Sequence, residues 1–415
     1  MKLGPIHVVT DATMATMQGM IHRLASELAE ARNSDSVMGQ LEALRKSFYP
    51  HMLHPPTKAK FALPFSGQPD EENKRSEEAV QRVIAAYNRA SAELQRPAPC
   101  MWELGEARNA KSFVAALKAG NAVAVFEHLR SMFRTNLVWG LGCVCEQVWN
   151  FFLTQSYGPY LMRFTDILRS LAEAVGTLCI TNSEQDMEGH FSALDIDTAA
   201  TYSAIEHQIG LDLSFPEVGG AYGCVIGDSK TSIDSLIHAY TVTRMIELGA
   251  KPKDSVAEIG GGYGSLALLM YRAGFRNYSI YDLPWVCALQ GYFLIMSLPP
   301  GSVRLYGEDS GDVSILPGWR FDRIPNRSID YVINTNSFPE MGRATAIEYL
   351  KDIRRSVKKQ FLSINQEAKV AVDRYDPQLC VAELMQQVGG FRRLSRSKYW
   401  MRNGYVEEVY QPESI

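Results

Sequence analysis

The sequence predicts an α/β protein: a doubly wound, mostly parallel sheet behind a large all-helical region. Three observations carry this expectation. Residues 254–411 alternate short apolar strands with helix-period segments, the pattern of βα units laid into one parallel sheet. Residues 1 to about 250 instead repeat apolar side chains at i, i+3/i+4 and i+7, the period of amphipathic helices. A run of glycines, residues 258–264, joins the first strand of the alternating half directly to a helix. With 415 residues, 46% hydrophobic and 21% charged, the chain has ordinary globular composition and is too long for a single core.

In chain order, 17–33 and 37–49 are amphipathic helices, and 54–73, rich in Pro and Gly, is a loop. Helices follow at 76–94, 121–141 and 160–178. The most apolar run, 137–153, is broken by Glu146 and Gln147 and falls short of the ~20 residues of a membrane span, so it is expected as a buried core helix. Residues 190–230 carry four glycines between 219 and 227 and read as a connector or a loop-built wall of a ligand site. The segment 232–248 is helical again and Gly249 ends it. Strands are then expected at 255–259, 278–283, 303–307, 328–338, 360–365, 391–400 and 405–411, seven in all, with helices between them. The division expected is an N-terminal helical region (1–95), a helical lid or dimerisation region (96–230) and the sheet domain (231–415).

Lys plus Arg is 42 and Asp plus Glu is 46, a net charge of −4, which argues against a protein that grips nucleic acid. Seven cysteines include no CxxC pair and no Cys/His cluster of zinc spacing, as suits a reducing cytoplasm. The first twenty residues hold no uninterrupted apolar core of a signal peptide, and no membrane association is expected.

The turn V-A-E-I-G-G-G-Y-G, residues 256–264, places Gly260, Gly262 and Gly264 in G-x-G-x-G spacing, with Gly261 and Tyr263 between and Glu258 just before. Glycines there let backbone approach a ligand, and the following helix offers unpaired N–H groups. A dinucleotide fingerprint needs Gly or Ala where Ser265 stands, and a phosphate loop needs a Lys-Ser/Thr pair that is absent. Glu258 would repel pyrophosphate. It suits a ligand with a cationic end, and S-adenosylmethionine, bearing ammonium and sulfonium but no phosphate, fits. Asp282, with Leu283 after it, ends the second strand, where a carboxylate can accept the ribose hydroxyls. Asp309, after the third strand, is expected to reach the adenine amine.

The runs V-A-E-I-G-G-G-Y-G-S-L-A, Y-D-L-P-W-V-C-A-L-Q-G-Y-F-L and I-D-Y-V-I-N-T-N-S-F-P-E-M, with Tyr349 eight residues on, resemble the sugar O-methyltransferase family over about residues 230–370. Asn334, Ser337, Phe338, Glu340 and Met341 stand in its N-x-x-Ser-Phe-x-Glu-Met motif. The resemblance implies a seven-stranded, Rossmann-like class I methyltransferase sheet, S-adenosylmethionine as cofactor and a small hydroxylated acceptor, such as a sugar or a glycosylated natural product.

An alcohol acceptor needs a general base. No histidine lies after His238, so a histidine base must come from outside the strand-rich half. His238 leads, oriented by Asp234 and Thr241 one turn to either side, with His190 and His207 next. Glu340 is the carboxylate candidate, with Asn334 and Asn336 on the cofactor and Ser337, Tyr222 and Tyr240 toward the acceptor. The acids after the third strand match no metal-binding loop, so no metal is expected. The helical half is expected to lid the crevice, to form a homodimer interface, or both. Carboxylate, phenol or amine methylation and a non-catalytic cofactor-binding module are the competing readings.

Overall fold

A computed structural model of the chain describes residues 52–54, 59–60, 63–93, 102–155, 157–180, 196–371 and 377–413. The helices expected at 17–33 and 37–49 lie outside these residues, as does His190. Helix α1 (Lys74–Glu93) buries Ala79, Val80, Val83, Ile84, Tyr87 and Ala90 along one stripe, the face its period predicted. Short helices α2 (Lys111–Lys118) and α3 (Ala122–Leu129) follow, α3 opened by the Asn121 side chain, which accepts from the Ala124 amide at 3.1 Å.

The helix expected over 121–141 and the core helix expected over 137–153 do not form as continuous elements. Beyond α3 the chain makes single 3₁₀ turns at Met132–Arg134 and Asn136–Val138, and regular helix resumes only at α4 (Glu146–Leu153). Gly140 is left-handed (φ 80°), and the backbone polar groups here are taken by distant side chains. Asp234 accepts the Cys143 amide at 2.9 Å, and the Tyr222 hydroxyl accepts the Cys145 amide at 2.8 Å while donating to its carbonyl at 3.0 Å. Tertiary hydrogen bonds replace the helical ladder.

Helix α5 (Gly158–Ala174) is the long helix expected there. The Gly-rich segment contains α6 (Thr198–Ile209), capped by Asp197 and ended by left-handed Gly210. It then supplies Tyr222–Ile226 and Ser229–Thr231 to a small antiparallel sheet, whose third strand, Leu63–Ser66, comes from the loop expected at 54–73. Helix α7 (Ile233–Glu247), capped by Ser232, leads into the large sheet.

That sheet comprises β1 (Val256–Ile259), β2 (Tyr278–Asp282), β3 (Val303–Leu305), β4 (Val313–Pro317), β5 (Ile329–Thr335), β6 (Val357–Gln366), β7 (Phe391–Lys398) and β8 (Tyr405–Pro412). Intervening helices are α8 (Ser265–Arg272), α9 (Pro284–Ser297), α10 (Arg343–Ser356) and α11 (Val381–Val388). The order is β7-β8-β6-β5-β1-β2-β4-β3; β8 is antiparallel to both neighbours and all other pairs are parallel. Eight strands stand where seven were expected. The addition is β4, five residues with no polar alternation to mark them, inserted between β2 and the edge strand β3.

The helical half packs into this sheet as part of one apolar core. Val83 of α1 lies so close to α9 that a Cβ on Gly291 would come within 2.9 Å of it, and Arg82 pairs with Glu308 at 2.8 Å. A second core, under α10 and α11, covers the other face. Among the described residues no helix is long and apolar enough to cross a membrane.

Candidate active site

From β1 the chain winds to β2 and β4 on one side, then returns to β5 on the other, so the topological switch lies at the carboxyl ends of β1 and β5. Ligand crevices form at such points in doubly wound sheets. The glycine turn occupies this one. Gly260, Gly262 and Gly264 are left-handed (φ 73°, 56° and 101°), conformations that a side chain would strain. A Cβ on Gly262 would overlap the Leu141 carbonyl, so the 139–143 segment of the helical half lies directly on the turn.

Asp282 is fastened to this turn. Its Oδ2 accepts the Gly261 amide at 2.9 Å and the Gln290 amide at 2.8 Å, and its Oδ1 accepts the Leu283 amide at 2.8 Å. Burial pushes its pKa up to about 6 against these three hydrogen bonds. A carboxylate offers about four acceptor positions, so one remains for a ligand hydroxyl. Glu258 is 1% exposed and accepts the Tyr278 hydroxyl at 2.9 Å. Burial pushes it up to about 8, with the Asp282 charge adding to the rise. The floor of the turn is therefore a carboxyl that an incoming cation would help to ionise.

Across the crevice, after β5, the short turn Phe338–Glu340 presents Glu340. Burial pushes its pKa up to about 7, opposed by the Arg402 charge and a hydrogen bond from Trp102. Trp102 also meets Trp285, at the start of α9, with ring centroids 6.4 Å apart. Glu340 is thus a partly buried carboxyl held near neutrality, with the Trp102 indole donating to it.

Several residues expected at the site do other work. Asn334 donates to the Ile259 carbonyl at 2.8 Å and to Ser337, and accepts from Asn365 at 2.9 Å; Ser337 also donates to the Ile259 carbonyl, at 3.0 Å. Both pin the turn from below instead of facing cofactor or acceptor, and a Cβ on Gly260 would strike Ser337. Asn336 adopts φ 63°, and its Oδ1 is buried without a partner. Asp309 is exposed in the loop that returns the chain to the amino end of β4, so it does not stand at the ligand edge. Inserting β4 gives that edge to Pro317, which pairs with Asp282.

Tyr222 is fully buried among Trp149, Phe152 and Tyr160, Tyr240 donates to Glu407 at 2.7 Å, and the Tyr263 ring is edge-on to Phe133, Phe215 and Phe293. All three are core residues and not ligand walls, because each hydroxyl already has a protein partner; for Tyr263 it is Asp234, at 2.8 Å. His207 is exposed on α6. His238 keeps a buried Nδ1 without a partner, and burial lowers its pKa against the Asp234 charge. Asp234 does not orient it, being committed to the Cys143 amide and Tyr263.

Gln290, Trp102 and Arg402 were missed. Gln290 had a signal, as the one amide in the otherwise apolar run P-W-V-C-A-L-Q-G-Y-F-L-I-M-S. Trp102 and Arg402 had none, since nothing in their local sequence ties either to Glu340, on which they act from distant parts of the chain.

No protein-family model and no curated protein matches this chain. Among solved structures it is similar to the mitomycin 7-O-methyltransferase MmcR (17% identity, 43% of this chain and 56% of that one, TM-score 0.30). It is also similar to the glycopeptide N-methyltransferase MtfA complexed with sinefungin (12% identity, 42% and 93%, TM-score 0.32). A third is the Burkholderia thailandensis 1,6-didemethyltoxoflavin-N1-methyltransferase with bound S-adenosylhomocysteine (15% identity, 44% and 77%, TM-score 0.29). The chain thus spans little more than half the length of MmcR. The strand order is that of a doubly wound, Rossmann-like sheet.

Proposed function

We propose that this chain is an S-adenosylmethionine-dependent O-methyltransferase acting on a hydroxyl of a sugar or other polyhydroxylated small molecule. The observation that carries the reading is the Asp282 carboxylate joined to the Gly261 amide over the buried Glu258. Asp282 keeps one acceptor position for a ribose hydroxyl, the glycines admit a ligand against backbone, and Glu258 favours a cation over a phosphate. Bound there, the cofactor supplies an electrophilic methyl group. Glu340 takes the proton of the acceptor hydroxyl, with His238 the second candidate. Trp102 and the 139–143 segment, both from the helical half, exclude water, in keeping with a lid role for residues 96–230. A homo-oligomer built on that half belongs to the same proposal.

Calorimetric titration with S-adenosylmethionine and S-adenosylhomocysteine tests the cofactor; no heat with either ends this reading. Asp282→Ala should weaken binding by roughly 1–3 kcal/mol, since it leaves a ligand hydroxyl and the Gly261, Leu283 and Gln290 amides poorly paired. Gly262→Val should abolish binding and also lower the melting temperature, because the new side chain meets the Leu141 carbonyl. Full affinity in that variant would remove the turn from the site.

A further inference from the structure

Resting on the cofactor reading above, we infer that Gln290 is a positioning residue of the cofactor site, its side-chain amide fastening Asp282 to the glycine turn. The local sequence gives no packing reason for an amide here. Its neighbours on α9, Val286, Leu289, Phe293 and Leu294, are buried and apolar, and Gln290 itself is 0% exposed. A buried amide is unfavourable unless its hydrogen bonds are made, and a Leu or Met of similar size would fill the same space without that cost.

Gln290 spends both of its N–H groups on the site: Nε2 donates to the Gly262 carbonyl at 2.9 Å and to Asp282 Oδ2 at 2.8 Å. Its Oε1 is buried with no protein partner. One side chain thus bridges the two features on which cofactor binding is proposed to rest, the left-handed glycine and the carboxylate.

The bridge does two things. It holds the Asp282 carboxylate in one orientation against the Gly261 amide. It also supplies one of only three donors that keep Asp282 ionised. The titratable groups facing Asp282 are Glu258 on β1, Cys287 on α9 and Tyr349 on α10, and among the described residues no cation is one of them. Neutral donors alone oppose the burial of this charge.

The experiment is calorimetric titration of S-adenosylhomocysteine into the full chain, its Gln290→Leu variant and its Gln290→Glu variant, from about pH 5.5 to about pH 8.5, with a thermal melt of each. The Leu variant should bind roughly tenfold or more weakly at neutral pH, the loss expected when a bond to a charged group goes. Its affinity should recover as pH rises, through a midpoint above that of the wild type. The Gln290→Glu variant should come closest to wild-type strength at the acid end, where the introduced carboxyl and Asp282 share a proton and only the Gly262 carbonyl loses its donor, and weaken as pH rises and the two carboxylates repel. Opposite slopes in the two variants support the inference, and the Gln290→Glu variant alone suffices should the Leu variant not fold. Lowered melting temperatures with pH profiles parallel to the wild type, or unchanged affinity in the Leu variant, overturn it. A wild-type chain that binds no S-adenosylhomocysteine at any pH overturns the cofactor reading and this inference with it.

Discussion

Glu340→Gln should cut methyl transfer by about 10²–10⁴-fold, the usual contribution of a general base, while S-adenosylhomocysteine binding stays at wild-type strength. Gln keeps the size and the hydrogen bond from Trp102 but cannot take a proton. The wild-type rate should rise with pH through about 7, because the base acts when ionised and burial holds Glu340 protonated below that point. The variant's residual rate should be flat across the same range. The assay is transfer of the methyl group from S-adenosylmethionine into small-molecule extracts, with products read as a gain of about 14 daltons, the mass of CH3 replacing H. Full transfer by the Glu340 variant, with loss in His238→Ala instead, would hand the role to the histidine.

Glu258→Gln should stabilise the cofactor-free protein, increasingly so with rising pH. The native pKa of Glu258 is raised from the ordinary 4.5 to about 8, so the unfolded chain ionises this group several units before the native one does. Stability present below about pH 4.5 is therefore lost progressively up to about pH 8, and is constant above it. At ~1.4 kcal/mol per unit, the wild type gives up on the order of 3–5 kcal/mol over that window. Gln cannot ionise, yet its carbonyl still accepts from Tyr278. Urea melts of both proteins at about pH 5 and about pH 8 measure the difference, which should be small at the first and several kcal/mol at the second. Glu340 titrates in the same direction in both proteins and cancels in the comparison, whereas Asp282, which interacts with Glu258, is relieved of that repulsion in the variant and adds to the difference at the higher pH. A constant difference across pH would mean that Glu258 is ionised in the native turn.

Cofactor affinity should move the opposite way in that variant. Glu258 beneath the turn favours a cationic ligand, so the neutral amide should weaken S-adenosylmethionine more than S-adenosylhomocysteine, which lacks the sulfonium charge. Equal losses for the two ligands would assign Glu258 to shaping the turn alone.

Much of the sheet was legible because its determinants are local. Strand β1, the glycine turn and α8 are contiguous, and left-handed backbone at Gly260, Gly262 and Gly264 is a demand that only glycine meets without strain. Asp282 and Leu283-Pro284 mark a strand end and a helix start within three residues. By contrast β4 was missed: a five-residue run whose strand character comes from lying between β2 and β3. That omission also misplaced Asp309, since the strand taken to end at the ligand edge is the sheet's outermost one. The helix expected over 137–153 is interrupted for a related reason. Its period was helical, but Asp234 and Tyr222, about 90 and 80 residues away, capture its backbone.

The polar side chains divide the same way. By itself the sequence determined the turn, the acids Glu258 and Asp282, and the alternation that makes a parallel sheet, because turn conformation and burial period are properties of neighbouring residues. Only the tertiary structure decided that Asn334 and Ser337 brace the turn, that Tyr222, Tyr240 and Tyr263 belong to the core, and that Trp102 and the Arg402 charge come to bear on Glu340. Whether a polar side chain serves a ligand or the fold depends on which distant atoms lie within about 3 Å of it, and that distance is set by chain crossings, not by spacing along the chain.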